Sequence, residues 1–387
     1  MTVTVSPSDL AEFRSSVQSV VDATVAPNAV EVDRTGTFPR KNIEALAQAG
    51  VLGVLSAADV GGSARGLRAA AQTIEQVAAA CGSTAMVVLM HYAATAVIEA
   101  HGPEEVRKRI ATGQHLTTLA FSEAGSRSHF WAPLSSASRV DGHVRLDANK
   151  SWVTSAGQAD SYVWSSKPIA ADGPMTLWLV PANSSGLSQS GGFDGLGLRG
   201  NSSTRMTATN VLLTDAALLG SDGGGLDLAL SLVLPTFNVL SAAFSLGLME
   251  ATAGEAGKHL SETRLQHIDQ SLAQQQAVRL DYARVRLETD RTRALLEDTL
   301  SAIETSRADA MLRVLEVKAA ASEAALQVTD LAMKVCGGAA FRKELGIERR
   351  FRDARAARVM APTTDALLDF IGRATLGLPL LEDIVAR

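Results

Sequence analysis

The residues best suited to chemistry gather in one stretch, Lys334 to Asp365. A glycine pair, Gly337–Gly338, follows an Ala-rich helical run, and two glycines there let the backbone turn with positive φ and let a ligand approach closely. A basic segment comes next (Arg342, Lys343, Arg349, Arg350, Arg352, Arg355, Arg358), and the stretch closes on Ala361-Pro362-Thr363-Thr364-Asp365. Hydroxyls and free N–H groups from Thr363 and Thr364, after a proline, mark a helix N-terminus where an anion or a polar ring edge can dock. Taken alone, the same residues also describe a helix C-cap, a solvated charged loop and an ordinary N-cap.

These residues need elements to hold them. Ala-rich amphipathic runs at 43–49, 69–80 and 84–100, with helix-start signals at Ser8-Asp9 and Pro39, make the first part helical. From about Leu116 the texture changes to short alternating segments, 143–146, 161–165, 175–181 and 205–213, divided by Gly, Asp, Asn and Ser. Asp222–Gly225 reads as a linker, and long helical runs return after it; 272–300 reads as one long surface helix with polar faces. The expected domains are therefore 1–115 (helical), 116–222 (β) and 223–387 (helix bundle), a mainly α chain around a central β-domain.

With 387 residues, 46% hydrophobic and 20% charged, the chain can bury a large core. A net charge of −5 gives no reason to expect a nucleic acid or a membrane surface as partner. Cys81 and Cys336 lie in apolar runs without metal-ligand spacing and read as inert thiols. MTVTVSPSDLAEF has no basic segment followed by an apolar one, and no run nears the ~18 apolar residues of a span, so a cytoplasmic protein is expected.

The long motif resembles the C-terminal signature of the acyl-CoA dehydrogenase superfamily, a Q-x-x-G-G turn leading through R-D-A-R to Y-E-G-T-N-E. Gly337, Gly338, Arg352-Asp353-Ala354-Arg355 and Thr363 match, and Asp365 stands for the final acid. Lys334 stands for Gln, Met360 for Tyr, Ala361 for Glu, Pro362 for Gly and Thr364 for Asn. The helical stretch with APNAVEVDRTGTFPRKNIEALAQAGVLGV and HGPEEVRKRIATGQH resembles the same superfamily, so the likeness covers nearly the whole chain. It implies an N-terminal helical domain, a β-barrel-like middle domain and a C-terminal four-helix bundle, with FAD as cofactor.

That resemblance also implies roles. Phe121-Ser122-Glu123 with Gly125-Ser126 is similar to one flavin-binding motif, in a shortened loop where Arg127 replaces an acid. Lys150-Ser151-Trp152-Val153-Thr154 is similar to K-x-W-I-T, which places Trp152 against the isoalloxazine and Thr154 near N5; on their own these two read as a core aromatic and a strand residue. Arg264, Gln275 and Lys334 match positions that reach the pyrophosphate and adenosine of a neighbouring subunit, which implies a homodimer or homotetramer.

The base is missing from both places where the superfamily carries its Glu. Those positions are Ala361 and Phe237, the latter beside Asn238 where Arg is usual. His91 and Asp365 are the remaining titratable candidates, and a helical His is also an ordinary core residue. Three readings stay open: an oxidoreductase diverged towards flavin-dependent oxygenase chemistry, an acyl-CoA dehydrogenase with a relocated base, and a flavin-binding subunit without turnover. The expected partners are an acyl thioester, on CoA or a carrier protein, and a flavin reductase or electron-transfer protein.

Overall fold

The computed structural model describes residues 7–126 and 129–381; Arg127 lies outside the described residues. Six helices come first: α1 (Pro7–Val20), α2 (Ala26–Thr35), α3 (Arg40–Gln48), α4 (Gly66–Ala80), α5 (Gly82–His101) and α6 (Glu104–Ala111). Alanine makes α4 a strong helix, and the extended Cys81, at φ −146°, separates it from α5. α5 is buried on nearly every side, and polar groups along it find internal partners, as Thr84 does by accepting from Asn42, while Thr95 Oγ1 is buried without one.

Eight strands follow: β1 (Thr117–Ala120), β2 (Ser136–Val140), β3 (His143–Val153), β4 (Ser161–Ser166), β5 (Thr176–Pro181), β6 (Leu187–Ser190), β7 (Thr204–Leu213) and β8 (Leu218–Leu219). They form two four-stranded sheets, ordered β1-β4-β5-β8 and β2-β3-β7-β6, with β1 parallel to β4 and the other pairings antiparallel. β4 and β5 are buried almost throughout, so they lack the alternation of a half-exposed strand. At their centre Trp164 stands opposite Trp178, whose indole N–H donates to Ser166 Oγ at 2.8 Å.

The last part comprises α7 (Gly225–Leu228), α8 (Leu234–Glu262), a β9 (Arg264–Leu265) and β10 (Gln270–Ser271) hairpin, α9 (Gln276–Glu304), α10 (Ala310–Cys336), α11 (Gly338–Phe341), α12 (Ile347–Val359) and α13 (Thr364–Thr375). α9 starts later than its polar pattern suggests because a Ser271–Gln274 capping box closes a short 3₁₀ turn first. One face of α9 is buried, through Val285, Thr289, Leu296 and Leu300, so it is a bundle helix and not a polar surface rod. α8 meets α4 backbone to backbone at Gly247, where a Cβ would lie 2.3 Å from the Glu75 carbonyl oxygen.

Two helical stretches, Gly82–His101 and Gly225–Glu262, are long and apolar enough to cross a membrane, but 78% and 89% of their apolar windows are buried inside the molecule. They are core helices here.

Candidate active site

Two β-domain motifs are built into one platform. Ser151 N–H donates to the Ser122 carbonyl at 2.9 Å, and Glu123 forms an isolated antiparallel bridge with Lys150. Lys150 Nζ lies 2.5 Å from Glu123 Oε1 with both side chains buried, and it also donates to Ser165 Oγ at 2.9 Å. Burial pushes the Lys150 ammonium down to about 8, against the pull of Glu123. Burial also works against the Glu123 carboxylate, but Lys150, Ser135 and the Leu134 N–H hold it below the usual range. A buried pair with every lone pair engaged fixes geometry more than it adds stability.

Just beyond this strut the β3–β7 register slips between Lys150 and Val153. Trp152 sits in the slip with φ +57° and an indole 70% exposed. A bulky residue held left-handed and turned to solvent is a strained, displayed side chain. Next to it Thr154 is buried, and Ser155 Oγ is buried without a partner. An apolar face beside polar oxygens suits a flat aromatic ligand with hydrogen-bonding edges, so these residues fit a flavin ring. Phe121 is buried and Ser122 half-buried on the same platform, and Ser126 N–H closes a turn onto the Glu123 carbonyl.

The platform meets the C-terminal tail. Trp131, from the loop after Ser126, packs on Phe370 of α13 with ring centroids 5.5 Å apart. Thr363 caps α13, its hydroxyl accepting from Ala366 N–H, while Thr364 Oγ1 is buried without a partner. Asp365 stands exposed on the first turn.

Sequence reasoning missed the residue that organises this tail. Lys318, fully buried on α10, donates to the carbonyls of Ala357 (3.1 Å), Met360 (3.2 Å) and Pro362 (2.7 Å). Its Nζ also lies 5.8 Å from the Phe237 ring centroid. One ammonium therefore touches the surroundings of both Ala361 and Phe237. Burial pushes its pKa down to about 7, yet three carbonyl acceptors need three N–H groups, so the bonded state is the charged one. With its protons committed, Lys318 is no base. The clue in the sequence was a lysine in step with Val314, Ala321 and Ala325 on an apolar helix face.

His91 is corrected as a catalytic candidate. Its Nε2 lies 3.0 Å from the Leu52 carbonyl and its Nδ1 accepts from Thr117 N–H at 3.2 Å. Burial pushes its pKa down to about 4. Both ring nitrogens are spent on backbone, so the neutral ring fastens β1 to the helical domain and has no lone pair for a substrate proton.

Arg352 and Asp353 of the R-D-A-R segment act as a joint. Arg352 pairs with Asp33 of α2 at 2.6 Å and donates to the Leu196 carbonyl. Asp353 accepts from Leu198 N–H at 2.6 Å, and burial pushes it up to about 6. Arg355 stacks on Phe351 and donates to Thr329.

The other candidates collect at the far end of the bundle. Arg264 pairs with Asp269 in the β9–β10 hairpin, Gln275 donates to Gln270, and Lys334 pairs with Asp281 of α9 at 2.7 Å. Gly337 turns the chain with φ +56°, and a Cβ on Gly337 or Gly338 meets only open space. At 1.5 Å per residue, Lys334 lies about 24 Å along α10 from Lys318. The structure thus sets Ser122, Trp152 and Thr154 on one platform, links that platform to α13 through Trp131 and Phe370, and sets Lys334 against Asp281 of α9, apart from Arg264 and Gln275 in and after the β9–β10 hairpin.

Three family models match in succession: acyl-CoA dehydrogenase N-terminal domain over residues 7–113, middle domain over 118–211 and C-terminal domain over 223–376. The mitochondrial short-chain specific acyl-CoA dehydrogenase of Bos taurus is 27% identical over 369 residues, covering 91% of this chain and 86% of that one. Butyryl-CoA dehydrogenase from Megasphaera elsdenii superposes with a TM-score of 0.90 at 19% identity, over 97% of this chain and 100% of that one. An FAD complex of PigA superposes with a TM-score of 0.87 at 18% identity, over 98% and 100% of the respective chains. With all three models in order along nearly its whole length, the chain belongs to the acyl-CoA dehydrogenase family.

Proposed function

We propose that the chain is an FAD-dependent oxidoreductase for an acyl thioester or related small organic substrate, diverged towards oxygenase chemistry because it holds no base for the α-proton. One observation carries this reading: Ala361 and the buried Phe237 occupy both positions of the family's Glu, and the polar group beside them is a committed ammonium, Lys318. α,β-Dehydrogenation of a thioester needs a positioned carboxylate to take the α-proton. Neither an alanine nor a phenylalanine can take it.

Bound FAD would supply the redox chemistry, holding electrons from substrate or from a reductase for transfer to oxygen or to a protein acceptor. Trp152 would offer its exposed indole to the ring, with Phe121 buried on the same platform. Ser122, Ser126 and Thr154 serve the ring's polar edges, and Thr363 with the α13 N-terminus and Asp365 serves the tail side. Arg264, Gln275, Lys334, Gly337 and Gly338 lie around the start of α9 and the end of α10, away from Lys318 and the tail. They reach the pyrophosphate and adenosine of a second subunit's FAD, in a homodimer or homotetramer. The electron partner is a flavin reductase or an electron-transfer protein.

Ala361→Glu is the direct test, with Phe237→Glu as its counterpart on α8. Anaerobic flavin bleaching by acyl-CoA is expected to rise by about 10²-fold or more in at least one variant, the usual size of a general-base contribution. Prompt bleaching in the parent, equal to that in the variants, would mean that the parent already has a base, and Asp365 would be the one to remove next.

A further inference from the structure

An open cleft of about 460 Å³ lies between α1, α4, α8 and α12, away from the flavin platform. Two of its three carboxylates, Glu75 and Glu250, are paired with arginines. Glu75 pairs with Arg293 at 2.7 Å, and Glu250 pairs with both Arg286 and Arg293, which with its hydrogen bonds hold it down to about 2. Asp22 accepts from Gln18 at 2.8 Å.

Among the described residues, Arg349 and Arg350 make no direct ion pair, with Asp353 acting on both and Glu255 on Arg350 only through the field. Each donates only to a carbonyl at the end of α4, Ala80 at 3.0 Å and Ala79 at 3.4 Å. Arg350 Nε and Nη1 are buried without any acceptor. Burial pushes Arg350 down to about 10, so it remains charged at neutral pH. A buried charged N–H without an acceptor is costly, and an arginine fork is shaped for phosphate or carboxylate oxygens. Arg14, exposed at the mouth, adds a third positive charge.

We propose that this cleft binds a small oxyanion, a phosphate or carboxylate group of a soluble metabolite, on Arg350 with Arg349 and Arg14 around it. The ligand bridges the N-terminal helices to α12, the helix that runs directly into the tail held by Lys318. The site is separate from the flavin reading and stands or falls independently of it.

The test uses FAD-loaded protein. Inorganic phosphate and succinate are titrated calorimetrically at constant ionic strength, and crystals are soaked in tungstate. Saturable binding of one of the two, at least tenfold weaker in Arg350→Leu, and tungstate within hydrogen-bond reach of Arg350 are the expected results; which titrant binds tells phosphate from carboxylate. Arg14→Ala, at an exposed position, is expected to weaken binding several-fold should Arg350→Leu not fold. No saturable binding, binding indifferent to both substitutions, or a carboxylate from a second copy seated on Arg350 in the crystal would overturn the proposal.

Discussion

At the scale of single residues, burial decides roles that residue type leaves open. Lys318 and His91 both look reactive on paper, and both are consumed by backbone partners. Lys318→Met would leave the Met360 and Pro362 carbonyls without their side-chain donor and Ala357 with only Ser322 Oγ, and is expected to cost about 3 kcal/mol in chemical denaturation, with easier loss of FAD. An unchanged unfolding midpoint would show that the tail does not depend on that ammonium. His91 and His115 are both held neutral with pKa values pushed down by burial to about 4. As pH falls from about 6.5 towards 4, the unfolded chain takes up protons that the folded chain refuses, so stability drops across that window. Urea midpoints measured through it should decline, and decline less steeply in His91→Asn. The type and spacing of Trp152 and Thr154 were legible in sequence. The commitment of His91 was not, because its partners come from Leu52 and Thr117, distant in the chain.

At the scale of elements, the alternation of strands and the Ala-rich helix runs were readable, since hydrophobic period is a local property. The joints between elements were not. The Glu123–Lys150 strut and the Arg352–Asp33 pair link residues 27 and 319 positions apart, and no local pattern announces such pairs. Glu123→Gln leaves a buried lysine facing a neutral amide and is expected to cost about 3–5 kcal/mol. Adding Lys150→Met should recover part of that loss, so the double variant is less destabilised than the sum of the singles. Simple additivity in a double-mutant cycle would mean that the two side chains do not depend on each other. The same double variant should retain FAD poorly, because Ser122 and Trp152 flank the strut.

At the scale of the whole molecule, the family's three-part architecture is present along the chain, and the proposed function turns on two positions within it, Ala361 and Phe237. The R-D-A-R segment ties α12 to α2 and to the β-domain, which makes it part of the fold's framework. The tail beyond it is held by Lys318, and Ala361 stands within that hold. Such a division fits a scaffold reused for different flavin chemistry. The most direct measurement is anaerobic mixing of the FAD-loaded protein with a panel of acyl-CoA thioesters while the oxidised-flavin absorbance is followed. The expected result is no bleaching by any thioester, together with substrate-dependent oxygen uptake once the flavin is reduced externally. Prompt bleaching by one thioester would contradict the absence of a base and make the protein an acyl-CoA dehydrogenase.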